Sequence, residues 1–323
     1  MKTAVITGVT GQDGAYLSEF LLQKNYNVIG LTRNNHAENV KGLKKLNILD
    51  KIIIVECDLL DITSCIKIFK EYKPDEIYNL AAQSSVSLSY VQAIGTIQYN
   101  ILSVLNILET IRFLELDTRF YQASSSEMYG RVVQLPVQIE TPMHPVSPYA
   151  ISKATGFWSV VNYRESYGLF ACNGVLFNHE SPLRDSNFFM KKVVLEALKI
   201  LKNPNHILHV GNINIKRDFG FSQKYVEAMW LMLQNEKPKD YIICSGISTS
   251  LKSIIEYVFT KLGISLNNYV IDPKLFRPNE IVDIYGDNQL AKNELGWNYN
   301  MNVTSILDLL IQDALDSQLN TKK

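Results

Sequence analysis

Short apolar runs alternate with helical stripes along the first half of the chain. Ala4-Val5-Ile6-Thr7, Val28-Ile29-Gly30-Leu31 and Ile52-Ile53-Ile54-Val55 read as buried strands, as do Glu76-Ile77-Tyr78-Asn79-Leu80, Phe120-Tyr121-Gln122-Ala123 and the run Ala171 to Phe177. Between them the spacing predicts helices over 15–24, 63–72, ending before Pro74, and 94–113, and helix starts at Tyr149 and Phe188. Strands and helices alternating at this length specify a right-handed, parallel, doubly wound sheet of the Rossmann type, an α/β fold. The 94–113 helix has apolar residues on more than one stripe: Ile101, Val104, Leu105, Leu108 and Ile111. Packing on the sheet and on a partner subunit explains that, and so does burial within its own domain.

A length of 323 residues exceeds what one core usually serves. The expectation is a nucleotide-binding domain over 1–177, with a returning segment near 211–247. A smaller α+β substrate-binding domain mainly fills 178–323. Lys+Arg equals Asp+Glu at 32 each and no basic block stands out, which argues against nucleic acid. Cys57, Cys65, Cys172 and Cys244 form no C-x-x-C pair, so free thiols in a reducing compartment are expected. His206 and His209 have no further ligand nearby in sequence, and no metal site is expected. Met1-Lys2-Thr3 runs into a strand rather than a signal peptide, and no apolar run reaches about 18 residues. A cytoplasmic protein without a membrane span is the expectation.

The first strand ends in Gly8-Val9-Thr10-Gly11-Gln12-Asp13-Gly14, and a helix follows. This order places backbone N–H groups at a helix N-terminus, where a pyrophosphate is favoured. The Gly8, Gly11, Gly14 spacing resembles that of the extended short-chain dehydrogenases, and Gln12 and Asp13 are counted with the turn as cofactor contacts. The second strand leads to Thr32-Arg33-Asn34-Asn35, with no carboxylate until Glu38. An acidic residue there would bind the ribose 2′-OH of NAD, whereas arginine suits a 2′-phosphate, so NADP is expected with Arg33 as its ligand. Asp58 is placed for the adenine amino group, beside Leu59. Leu80, Ala81 and Ala82 lie at the carboxyl end of the fourth strand, where ligands sit in open α/β sheets. Ser84 is placed for cofactor or sugar, and Ser85 likewise.

Candidate chemistry centres on Ser124-Ser125-Ser126-Glu127 after the fifth strand and on Tyr149 and Lys153, one helical turn apart. An ammonium beside a phenol lowers its pKa from about 10 and makes it a base. Glu127 supplies a second acid/base on the same rim, more than a simple alcohol oxidation needs. Further on, Lys192, Arg217 and Arg277 are candidate cations for a diphosphate or its ribose.

With these motifs in hand, the chain resembles the GDP-mannose 4,6-dehydratases of the extended short-chain dehydrogenase/reductase family. The likeness runs through Ile6–Gly14, Tyr78-Asn79-Leu80, Arg119–Ser124, Ser126-Glu127, Tyr129-Gly130 and Ser147–Ala150. It continues through Val161–Gly168, Phe177–Pro182, Phe276-Arg277-Pro278 and Leu295-Gly296-Trp297. It implies NADP, a GDP-linked hexose, and Ser125, Glu127, Tyr149 and Lys153 as the catalytic set, with Tyr149 and Lys153 also touching cofactor. It implies guanine-nucleotide contacts by Asn178, Lys192, Arg217, Arg277 and Glu280. It also implies a homodimer or homotetramer, with the arm after the second strand crossing an interface. Three departures bear on the sugar and the tetramer contacts. Ser125 replaces a usual threonine, Leu183-Arg184-Asp185 replaces Arg-Arg-Gly, and Arg33 stands where the arm usually carries two arginines. The implied reaction oxidises C4, eliminates water across C5 and C6, and returns hydride to C6, giving a 4-keto-6-deoxy sugar nucleotide. The alternatives are a dehydratase of another nucleotide-linked hexose or heptose, a 4-epimerase or 4-ketoreductase, and a non-catalytic dinucleotide-binding regulator.

Overall fold

The computed structural model describes residues 1–33 and 40–320. In chain order its strands are β1 (Thr3–Thr7), β2 (Asn27–Thr32), β3 (Ile53–Glu56), β4 (Glu76–Asn79), β5 (Arg119–Ser125) and β6 (Ala171–Leu176). Then come β7 (Asn178–Glu180), β8 (Leu208–Val210), β9 (Lys216–Phe221), β10 (Tyr241–Ile243), β11 (Ser248–Ser250) and β12 (Tyr269–Ile271). Seven of them form one parallel sheet in the order β10-β6-β5-β4-β1-β2-β3. This is the doubly wound sheet that the alternation of elements predicts. A parallel sheet is covered on both faces, which is why Ala4, Val5 and Ile6 are all fully buried and read as an unbroken apolar run.

Helices Gln12–Gln23 and Ser222–Gln234 cover one face, packing Leu17, Leu21, Val226 and Met229 with Trp297. Helices Ile62–Tyr72, Ala93–Phe113 and Pro148–Tyr167 cover the other through Phe69, Ile107, Leu108, Ile111 and Val160. Each such side chain contributes about 1.5–3 kcal/mol when fully buried. The first helix begins three residues before the Ala15 that periodicity selects, because Gly11 serves as its N-cap. The helix Val86–Val91 is absent from the sequence reading and is capped by Ser85. The long helix Ala93–Phe113 spends one stripe on its own domain, yet Ile94 is 82% exposed and Leu102 39%. Burial within one chain therefore does not account for all of its apolar positions.

The second lobe holds the sheet β11-β9-β7, the pair β12-β8, and helices Phe189–Lys202, Leu251–Leu262 and Val303–Asn320 around a separate core. The chain threads between lobes: β10 closes the edge of the main sheet, and Trp297 packs into the first lobe's core. All four cysteines are free and buried. Among the described residues no helix is long and apolar enough to cross a membrane. The arm after β2 that the resemblance places across an interface, Asn34 to Asn39 with Glu38, lies outside the described residues.

Candidate active site

The sheet reverses its winding between β1 and β4, and the glycine turn opens there. Gly8 has φ +67, and a Cβ on it would stand 2.9 Å from Ala81 N. Thr7 Oγ1 accepts hydrogen bonds from Leu80 N (3.1 Å) and Ala81 N (3.0 Å), pinning the end of β4 to the turn. Gly11 caps the following helix with no side-chain bond, so the first-turn N–H groups are available to an anion such as a pyrophosphate. These backbone features fit a dinucleotide.

Gln12 and Asp13 behave differently from the other turn residues. The Gln12 amide donates to His179 O at 2.9 Å and accepts from Ser181 Oγ at 2.8 Å. Asp13 Oδ2 lies 2.7 Å from His179 Nε2, and its Oδ1 accepts from Ser222 Oγ at 2.6 Å. Burial raises the Asp13 pKa, but the charge and hydrogen bond of His179, with Ser222, bring it below the ordinary value. Both side chains therefore staple the turn to β7 and to the start of helix Ser222–Gln234, leaving the turn's backbone N–H groups to face any anion. Arg33 is exposed at the end of β2, its guanidinium carbon 5.0 Å from the centre of the Tyr99 ring. Asp58 is exposed and accepts from Leu60 N, beside buried Leu59. Ser84 is exposed, whereas the Ser85 hydroxyl accepts from Leu88 N at 3.2 Å as a helix cap.

The catalytic candidates converge at the tip of β5. Ser125 Oγ accepts from Glu127 N at 3.3 Å and so fixes the single 3-10 turn Ser126–Tyr129. That turn closes on Gly130, φ +57, where a Cβ would overlap His144 O at 1.8 Å. Ser147 and Pro148 start the next helix, Ser147 Oγ accepting from Ala150 N at 3.1 Å. Its first turn brings Tyr149 to Ser125, and its second sends Lys153 Nζ to donate to Ala123 O at 2.8 Å. Ser124 turns away and donates to Asn173 Oδ1 at 3.0 Å.

Here the structure corrects the sequence reading. The Tyr149 phenol is pushed up to about 12, not down: burial raises it, and the hydrogen bond with Ser125 pulls the other way without winning. Burial also lowers Lys153 to about 8. The ammonium lies 5.8 Å from the Tyr149 ring centre, and its proton goes to a carbonyl. Desolvation is the leading effect on both groups.

Glu127 lies near Tyr149. It is close enough to raise the Tyr149 phenol, and its Oε1 lies 3.9 Å from Arg217 Nε. Arg217 is buried, donates to Lys216 O and Ile281 O, and keeps Nη2 without a partner. Burial lowers its pKa, and the charges of Glu127, Arg277 and Glu280 all act on it. Glu280 Oε2 is likewise buried and unpartnered, and Asn178 donates to Asp218 O at 3.3 Å nearby in β9. Lys192 donates to His209 O and lines a separate groove with Asn187, Leu195 and Glu196. Sequence reasoning missed the roles of His179 and Arg184. Arg184 Nε lies 3.6 Å from buried Glu180, its guanidinium stacks on Phe188, and its charge acts on both Tyr149 and Asp13. Arg184 is the position at which the chain keeps an arginine of the expected Arg-Arg-Gly motif, and that was the available signal.

A doubly wound sheet with a glycine turn at its switch point, and a Tyr–Lys helix facing the tip of β5, defines a protein of the short-chain dehydrogenase/reductase architecture. The sequence model of GDP-mannose 4,6 dehydratase matches residues 5–310. A GDP-mannose 4,6 dehydratase of Drosophila melanogaster is 42% identical over 322 residues, covering 92% of this chain and 82% of its own. The chain belongs to the GDP-mannose 4,6-dehydratase family. Two solved structures share the fold. One is dTDP-glucose 4,6-dehydratase from Bacillus anthracis in complex with NAD, with TM-score 0.85, 20% identity, and 99% and 98% of the two chains covered. The other is RMD from Pseudomonas aeruginosa complexed with NADPH, with TM-score 0.80, 22% identity, and 98% and 100% covered.

Proposed function

We propose that the chain is a hydro-lyase converting GDP-mannose to GDP-4-keto-6-deoxymannose, with NADP as its cofactor. The observation that carries this reading is the proximity of Glu127 to Tyr149, with Ser125 accepting from the Glu127 backbone N–H and hydrogen-bonded to the Tyr149 phenol. Two proton-transfer groups on neighbouring carbons are what an oxidation followed by an elimination requires. A nicotinamide bound in the crevice supplies the hydride acceptor for C4 and the hydride later delivered to C6. Tyr149 takes the C4 hydroxyl proton, with Ser125 and the Lys153 ammonium stabilising the phenolate against its burial. The 4-ketone acidifies the C5 proton, and Glu127 removes it. Glu127 or Ser125 then protonates the departing C6 hydroxyl, and C5 is reprotonated at the end. Arg217, Arg277 and Glu280 bind the guanine nucleotide of the substrate.

Mass spectrometry after incubation with GDP-mannose and a panel of other sugar nucleotides tests the reading. GDP-mannose should lose the mass of one water. Glu127→Gln should bind cofactor normally and dehydrate about 10²–10⁴-fold more slowly. Unchanged GDP-mannose, or a Glu127→Gln protein that dehydrates at the original rate, sinks it.

The exposed apolar residues of helices Ala93–Phe113 and Pro148–Tyr167 include Ile94, Leu102, Ile151 and Trp158. A second copy of the chain covers this face in the proposed assembly. Light scattering of the purified protein should give a dimer or tetramer mass, and a monomer at micromolar concentration would remove the idea.

A further inference from the structure

We propose that Tyr99 is a specificity-determining residue for the cofactor: its ring is the platform that holds Arg33 in place for the adenosine 2′-phosphate. The inference rests on the reading that Arg33 takes this phosphate. Arg33 follows β2 and is exposed, so by itself its long side chain samples many rotamers. Its guanidinium carbon sits 5.0 Å from the Tyr99 ring centre, within the range of a cation–π contact. A guanidinium stacked by its face keeps its N–H fork in the plane, which is the edge that grips a phosphate. Burial raises the Tyr99 phenol, so the ring stays neutral and its face electron-rich.

The platform is rigid because its helix is tied to both nucleotide loops. One residue on, Asn100 accepts from Gln83 N at 2.8 Å and donates to Gln83 O at 3.1 Å, fixing the loop after β4. Its amide also donates to Ser152 Oγ at 3.0 Å, on the helix of Tyr149 and Lys153. Two turns further, Asn106 donates to Leu59 O at 2.8 Å, fixing the loop after β3. Tyr99 therefore stands in register with the loops after β3 and β4, and the charge of Asp58, in the first of them, acts on it.

Calorimetry with NADP⁺, NAD⁺ and adenosine 2′,5′-bisphosphate on the full chain tests the platform without turnover. Tyr99→Leu should weaken NADP⁺ and the bisphosphate about two- to fivefold and leave NAD⁺ unchanged. Tyr99→Phe keeps the ring and should bind like the parent. In the Arg33→Ala background, Tyr99→Leu should add nothing. Equal weakening of NADP⁺ and NAD⁺ by Tyr99→Leu would mark a merely structural residue and overturn the proposal, as would no change in either. If Arg33→Ala leaves the NADP⁺/NAD⁺ ratio unmoved, the phosphate role of Arg33 falls and the platform falls with it. If Arg33→Ala moves that ratio and Tyr99→Leu does not, the platform alone is lost.

Discussion

The two walls of the cleft are built on opposite terms. On the nucleotide side the polar groups satisfy one another. Thr7 donates to Asn79, Asn79 to Gln122, and Gln12, Asp13, His179, Ser181 and Ser222 form a closed set. Around Arg217, by contrast, two charged groups keep a buried atom without a hydrogen-bond partner, Arg217 Nη2 and Glu280 Oε2, whereas the orphans of the first lobe, Tyr121 and Tyr225 among them, are neutral hydroxyls. A buried unpaired polar atom costs about 1–3 kcal/mol, more if charged. The charged groups of the first wall are therefore paired with one another, and its turn offers mainly backbone N–H groups. The second presents a buried guanidinium beside the Glu127 carboxylate, and a polar ligand bound there should stabilise the chain by mass action.

The largest effect that would break this contrast is at Arg217. Arg217→Ala should cost about 2–4 kcal/mol of GDP affinity, because it removes a buried, charged fork from the proposed diphosphate site. Affinity for adenosine 2′,5′-bisphosphate should stay as it was, which shows that the other wall is intact. Titration calorimetry reads both. A variant that binds GDP as tightly as the parent would mean that the orphaned guanidinium nitrogen faces no ligand.

The same contrast decides what could be read from the sequence. Strands β1 to β6 were legible because a sheet buried on both faces writes continuous apolar runs. The start of the Tyr149 helix was legible to within a residue, and the structure shows Ser147 and Pro148 as the local cap that sets it. The strands β7, β8, β10, β11 and β12 have three residues each, too few for a period to show. The Asp13–His179 contact joins residues 166 positions apart, so the turn motif alone could not show that the Asp13 side chain ties the turn to β7. The phenol of Tyr149 teaches the same lesson. A Tyr–Lys pair one turn apart promises attraction, but only packing tells how much water each group has lost.

A smaller effect sharpens the comparison from the first wall. Asp13→Asn keeps the shape of the staple and removes its charge. At pH 7 the ligand-free chain should lose about 1–2 kcal/mol of stability, since hydrogen bonds to a charged group exceed neutral ones by roughly that much. The pH dependence has a definite sign. The folded pKa of Asp13 lies below its ordinary 3.8, so its contribution is present above that value and fades as pH falls through the folded pKa. Urea unfolding of parent and variant should therefore differ at pH 7, and the gap should narrow toward pH 3. A gap that stays constant into acid would assign the stability to something other than the carboxylate. A variant equally stable but poor in cofactor binding would return Asp13 to the ligand side, and the two walls would no longer differ in kind.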